Sequence, residues 1–263
     1  MIFLKSEREI EVMQECGRVL ALAHEAVEAA IRPGVTTQEL DDIARRVIEE
    51  NGAKPSFLGL YDYPATINAS INEEVIHGIP SKKRVLREGD IIGIDIGAFK
   101  GGFHTDAART HTVGNVSEAA ERIVRVTREC FFEALKLCRV GYRISDLSHA
   151  IEAHAKAHGY SLVQDFTGHG IGRKLHEDPP VPNYGPKGHG PRLEPGMALA
   201  IEPMLNEGKH PVYIKGDGWT VVTRDSKLSA HYENTVIITE GDPLVLTLTA
   251  RERSYDLADI IRV

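Results

Sequence analysis

The sequence predicts an α+β fold, antiparallel strands with paired helices packed on the outside. Three observations lead there. A long helical stretch, a glycine stop and a shorter helical stretch occur together twice. Each helix pair is followed by short β-branched runs bounded by Gly or Pro, which favour antiparallel hairpins. The landmarks of the two pairs also recur at one spacing. Gly34 and Gly141, Leu40 and Leu147, and Gly52 and Gly159 each lie 107 residues apart, so the second half is expected to repeat the first.

In chain order, the stretch from Leu4 to Ile31 reads as a helix stopped by Arg32-Pro33-Gly34. Thr36 to Glu39 then has the form of an N-cap, opening a helix through Ile43, Val47 and Ile48 toward Gly52. Ser117 to Cys138 reads as the second long helix, and Ser145 as the cap of a fourth that runs to Gly159. Strands are expected in IIGIDIGAF (91–99) and FHTDAARTHTV (103–113), around Lys100-Gly101-Gly102. The second half supplies ALAIEPML (198–205), Trp219 to Val222, and YENTVIIT (232–239). No Gly/Ser-rich linker separates the halves, so one catalytic domain over 1–263 is expected, with halves of about 1–115 and 116–263.

Of the 263 residues, 42% are hydrophobic, enough for one substantial core or two small ones. The net charge of −7 is spread along the chain, without a polybasic run suited to nucleic acid or an anionic membrane. The N-terminus MIFLKSEREIEVMQ is not a signal peptide, and no run of about 18 apolar residues occurs. Cys16, Cys130 and Cys138 are odd in number and lack CxxC spacing, which predicts buried, reduced thiols and a cytoplasmic protein.

Asp95 and Asp106 are the sharpest local signal. A two-residue loop at Lys100-Gly101 would set them directly opposite one another, with Cβ atoms about 5 Å apart. Two carboxylates so placed repel unless a cation sits between them. The apolar neighbours of Asp95 argue for a buried strand and a metal site over solvated surface acids. His169 lies between glycines in Thr167-Gly168-His169-Gly170, where a ligand could approach closely, although loop histidines are usually solvated. His176 follows in His176-Glu177-Asp178-Pro179-Pro180, read as a stiff turn. Glu202 ends an apolar strand and Glu233 heads another. Each needs a partner, either a cation or an ordinary Arg or Lys. His231 shares a strand face with Glu233 by the two-residue period, either supporting it or exposed. Four carboxylates and one imidazole suit Mn(II), Fe(II), Co(II) or Zn(II), and they are more than a single ion needs. A bridged pair about 3.5 Å apart is the natural arrangement.

Five ordered stretches resemble the type I methionine aminopeptidases of the pita-bread fold. They are NEEVIHGIP (72–80), IDIGAFKGGFHTDAART (94–110), FTGHGIGRKLHEDPPVPNY (166–184), PGMALAIEPML (195–205) and SAHYENTV (229–236). The resemblance implies a pita-bread architecture of two pseudo-symmetric halves. By position it assigns Asp95, Asp106, His169, Glu202 and Glu233 as metal ligands, with Asp106 and Glu233 bridging two divalent ions (Co, Mn, Fe, Zn or Ni). It implies removal of N-terminal methionine from nascent polypeptides with a small second residue, by a dinuclear metal-bound hydroxide. Glu202 would relay the water proton, His176 would bind the substrate carbonyl or oxyanion, and His77 the scissile amide nitrogen. Phe57, Tyr63 and Trp219 fall where walls of the methionine pocket are expected, as does Asn68.

The chain departs from the family pattern at Asn68, where many members have cysteine, and at Leu175, where an aromatic often precedes the second histidine. Both changes bear on how methionine is held. A short bacterial form is expected, because neither a zinc-binding N-terminal extension nor a long second-half insertion is present. The expected setting is a monomer, with the ribosome as a candidate neighbour and neither nucleic acid nor membrane as a partner. Prolidases and Xaa-Pro aminopeptidases are the rival enzymes of the same fold. A catalytically silent relative that binds nascent chains or RNA is the rival of another class.

Overall fold

A computed structural model of the chain describes residues 1–254. The first half contains helices α1 (Glu7–Ala30) and α2 (Thr37–Glu50), then strands β1 (Lys54–Pro55), β2 (Ile67–Ile71), β3 (Glu74–Ile76), β4 (Ile91–Lys100) and β5 (Phe103–Thr112). Helices α3 (Glu118–Leu135) and α4 (Ile144–Ala157) open the second half. Strands β6 (Ser161–Leu162), β7 (Gly168–Gly170), β8 (Glu177–Val181), β9 (Ala198–Ile201) and β10 (Met204–Asn206) follow. The chain continues through β11 (Val212–Ile214), β12 (Val221–Thr223), β13 (Ser229–His231), β14 (Glu233–Ile237), β15 (Leu244–Val245) and α5 (Ala250–Arg253).

The main sheet runs β1-β4-β5-β14-β9-β7-β8, with β2 added on β4 and β15 on β14; its pairs are antiparallel. Strands of both halves meet at β5 and β14, where Glu233 pairs with Ala108. On β4 the side chains of Ile92, Ile94, Ile96 and Ala98 share one face and pack with α1 and α2 residues such as Leu20, Leu40 and Ile48. Burying each such isoleucine contributes roughly 2 kcal/mol. The opposite face of β4 carries Gly93, Asp95 and Gly97, and Asp95 lines a cavity there. A second core places Phe131, Leu135 and Leu147 of α3 and α4 against Leu199, Ile201 and Val236. The helices therefore lie outside and leave the inner sheet face free for chemistry.

The 107-residue spacing extends well beyond the three landmarks. Helix α2 and helix α4 are both 14 residues long and stand at that spacing throughout. The bridges Thr36–Val85 and Arg143–Arg192 do too. Gly89 and Gly196 share it, with φ of 91° and 87°. Helix α2 opens with a capping box in which Thr36 Oγ1 and the Glu39 carboxylate bond to each other's backbone N–H.

Three local expectations are corrected. The hairpin loop is Gly101-Gly102, with Lys100 paired to Phe103, because both central residues take positive φ (61° and 93°) and lysine resists that region. Asp95 therefore pairs with Ala108, and Asp106 with Gly97, which makes the two aspartates diagonal neighbours. Residues 177–181 form strand β8 instead of a turn; at the end of the sheet order a strand tolerates prolines that cannot donate to a ladder. Helix α4 begins two residues early, with Arg143 at the N-cap in place of Ser145, whose hydroxyl accepts from His189 N–H. The three cysteines are free and buried, as expected.

Candidate metal centre and substrate cavity

Five strand segments bring the acids together. Asp95 comes from β4, Asp106 from β5 and Glu233 from the head of β14; His169 sits on β7, and Glu202 directly follows β9. Asn234 pairs with Ile201, so continuing that register by one residue brings Glu202 opposite Glu233. Ligand atoms of Asp106, His169 and Glu233 all lie within 4.8 Å of one another. His169 Nε2 stands 3.8 Å from Glu202 Oε1, and His231 Nε2 stands 3.6 Å from Glu202 Oε2 and 3.9 Å from Glu233 Oε2. Among the described residues, the ion-pair contacts of Glu202 and Glu233 are thus with histidines, not with Lys or Arg.

So many acids in one dry place disfavour their own ionisation. Burial raises the Asp95 carboxyl to about 7. Burial, then the charges of Glu233 and Asp95, holds Asp106 well above the carboxylate range. Glu202 and Glu233 are raised in the same way, by burial first and neighbouring carboxylates second. His169 is lowered to about 4 by burial and by His176. Asp95 Oδ1, Glu233 Oε1 and His231 Nε2 are buried without a hydrogen-bond partner. Buried polar atoms normally find partners. Divalent cations would satisfy these oxygens and relieve the repulsion, so the donor set fits a metal centre of hard oxygens with one imidazole.

A cavity of about 260 Å³ opens over the acids. Phe57, Tyr63, Asn68, His77, His176 and Trp219 all line it. Tyr63 is buried, with its hydroxyl donating to Ile67 O at 2.9 Å, so its ring presents an apolar wall edge-on to Trp219 at 5.0 Å. Gly97 lets Phe57 approach the strand, since a Cβ there would lie 2.7 Å from the Phe57 ring. Asn68 pairs with Asp95 in register and donates from Nδ2 to Asp95 Oδ2 at 2.6 Å. It therefore touches the acid cluster as well as the pocket. The ring of His176 packs edge-on to His169 at 4.5 Å, and His77 stacks edge-on to Phe166 at 5.8 Å. Burial, with His176 second, lowers His77 to about 4, which keeps the ring neutral.

Local sequence gave no reason to expect His77 in the cavity. Its backbone sits at φ 58°, a left-handed conformation costly for a residue with a Cβ, and strain of this kind concentrates at functional sites. The following Gly78 could have signalled it, because a Cβ there would lie 2.3 Å from Ala69 O. Leu60 and Tyr61 also line the cavity and were not singled out as walls, and Leu175, noted from sequence as bearing on how methionine is held, lines it too. A second cluster, Glu129-His154-His158, lies on the outer helices. Arg125 already holds Glu129 at 2.7 Å and Arg122 reaches His158 O at 2.8 Å, so a cation there would meet two guanidinium groups.

Comparison with known proteins agrees with this geometry. The description of metallopeptidase family M24 matches residues 11–240. A methionine aminopeptidase of Clostridium perfringens is 52% identical over 94% of this chain and 99% of its own length. Methionine aminopeptidase 1 of Bacillus subtilis is 48% identical, with the same coverage of each chain. The crystal structure of methionine aminopeptidase from Thermotoga maritima superposes with a TM-score of 0.93 at 43% identity, covering 94% of this chain and all (100%) of that one. A metal-ready acid cluster under an apolar cavity, on a fold shared over almost the full length, shows that the chain belongs to metallopeptidase family M24 and, within it, to the methionine aminopeptidases.

Proposed function

We propose that the chain removes the N-terminal methionine of polypeptides whose second residue is small, using two divalent ions held by Asp95, Asp106, His169, Glu202 and Glu233. Metal-dependent aminopeptidase activity follows from the family; the pair of ions and the residue roles are our reading. Asp106 and Glu233 stand where the two halves meet and would serve both ions. When bound, the ions supply an activated water and polarise the scissile carbonyl. No helix of the described residues is long and apolar enough to cross a membrane.

The remaining chemistry belongs to the side chains. Glu202 would take the proton from the attacking water and deliver it to the leaving amide nitrogen, acting as base and then as acid. His176 would donate to the carbonyl oxygen as negative charge develops there. His77, kept neutral by burial, would hydrogen-bond the scissile amide. Phe57, Tyr63 and Trp219 would enclose the methionine side chain and exclude water, and the limited cavity restricts the second residue to a small one. We read both halves as one catalytic unit, since each supplies acids to the same centre. The observation that carries the proposal is the meeting of Asp106, His169 and Glu233, whose ligand atoms lie within 4.8 Å of one another, with Glu202 beside His169 and with Asp95 Oδ1 and Glu233 Oε1 left unpartnered.

The test offers Met-Ala-Ser and Ala-Pro to protein supplied with Mn(II) or Co(II). Free methionine should appear from the first peptide and stop on chelation. Cleavage of Ala-Pro alone would overturn the proposal in favour of a prolidase. Cleavage of Met-Ala-Ser that survives complete metal removal would overturn the metal centre.

A further inference from the structure

Asn68 lines the cavity and also reaches the acid cluster through its hydrogen bond to Asp95. Asn68 lies in the middle of β2, buried, directly opposite Asp95 in the ladder. Its side-chain amide donates to Asp95 Oδ2, and the other oxygen, Oδ1, has no partner. The bond fixes how the carboxylate is turned and leaves lone pairs on both of its oxygens for a cation.

The strand that carries Asn68 is itself held. Asp41 Oδ1 accepts from the backbone N–H groups of Thr66 and Ile67, at 2.8 and 2.9 Å, and Ala69 N–H donates to Gly78 O at 2.7 Å. Ile67 and Ala69, on either side, are fully buried in the core beneath α1 and α2. The amide thus meets Asp95 from a fixed position. An uncharged donor also adds no negative charge to a site already crowded with it, which an acid at this place would do.

We infer that Asn68 is a positioning residue of the metal centre: its amide holds the Asp95 carboxylate in the orientation in which it would meet the ion. This rests on the metal-centre reading given above. Groups that orient a ligand in this way typically change metal affinity by about 10–100-fold when removed.

The experiment titrates metal-stripped protein with Mn(II) by calorimetry, comparing wild type with Asn68→Leu, which keeps the branched shape without the donor, and Asn68→Ala. Melting of the stripped proteins checks that the variants fold, and KM for Met-Ala-Ser is measured at saturating Mn(II). The first ion should bind about 10–100-fold more weakly in both variants. Melting should fall by no more than an unpartnered buried acceptor costs, and the shift in Mn(II) affinity, not KM, decides the case, because Asn68 also lines the cavity. Unchanged Mn(II) binding with a raised KM would overturn the inference and leave Asn68 as a pocket wall only. Wild-type protein that takes up no Mn(II) would instead bring down the metal-centre reading and this inference with it.

Discussion

The two halves carry equivalent acids on different scaffolds. In the first, Asp95 and Asp106 stand on adjacent strands joined by the two-residue turn Gly101-Gly102. In the second, Glu202 and Glu233 stand on the paired strands β9 and β14, with β10 to β13 inserted between them. Asp95 and Glu202 lie 107 residues apart, the spacing of the structural repeat, so the duplicated core itself furnishes one acid from each half. The inserted segment of the second half adds what has no counterpart in the tight hairpin. Trp219 stands against Tyr63, and His231 stands against Glu202 and Glu233. In the proposed mechanism the repeat would thus supply the frame for the cations, and the inserted segment would shape it toward a substrate.

The largest effect should come from the acids where the halves meet. Asp106→Asn and Glu233→Gln should each lower kcat/KM by about 10³-fold or more, about 4 kcal/mol of transition-state stabilisation. Both should also lower the metal content seen by native mass spectrometry. A variant that keeps two ions and near-normal turnover would break the equivalence of the two scaffolds. His176→Ala should cost about 10²–10³-fold in kcat with metal content unchanged, because it acts on developing oxyanion charge and not on the ions.

Metal removal tests the frame itself. At 100-fold excess over its dissociation constant, a bound ion stabilises the fold by about 2.7 kcal/mol, so chelation should lower the melting temperature by roughly 5–10 °C. The stripped protein should also respond to pH through Asp95, whose carboxyl is raised to about 7 in the fold. A raised carboxyl leaves stability intact below about pH 4, where folded and unfolded chains are both protonated. That stability is lost as pH rises toward and through about 7. Stripped Asp95→Asn should therefore melt progressively higher than stripped wild type as pH climbs from about 4 to 7, with the gap closing at the acid end. A constant gap would mean that burial of the Asp95 carboxylate is not what metal relieves.

The elements that sequence made legible are those specified locally. Thr36 and Glu39 announce α2 by a mechanism complete within four residues, whereas α4 starts at Arg143, which has no acceptor to announce it, and its cap was placed two residues late at Ser145. The acid-bearing face of the hairpin was legible as well. The loop was misplaced by one residue, which moves each partner by two and leaves the alternation of faces unchanged. Directly opposed aspartates became diagonal ones, still on one face. His77 was not legible from its surroundings, because its place depends on a strained backbone and on Gly78 packing against Ala69, contacts made across strands. The partners of Glu202 and Glu233 were also hidden, since whether an acid meets an arginine or a histidine is decided by chain segments far apart in sequence.

The smallest expected effect compares the two short helices. Helix α2 is capped by the Thr36 hydroxyl, which accepts from Glu39 N–H at 3.2 Å. At the equivalent position of α4, Arg143 offers no side-chain oxygen, and its own backbone N–H donates to Asp146 Oδ2 at 2.7 Å. Thr36→Ala removes an acceptor from a helix N-terminus and should cost about 1 kcal/mol, or about 2–4 °C in melting temperature. Arg143→Ser installs the missing acceptor and should gain up to about 1 kcal/mol. The gain is reduced by loss of the Arg143 Nη1 bond to Gly190 O, an exposed contact of low value. The sign difference between the two substitutions, read by thermal melting of the metal-loaded protein, is the informative result. If Arg143→Ser destabilises as much as Thr36→Ala, then the arginine's tie to Gly190 outweighs a helix cap, and the two helix starts are stabilised by different means despite their shared geometry.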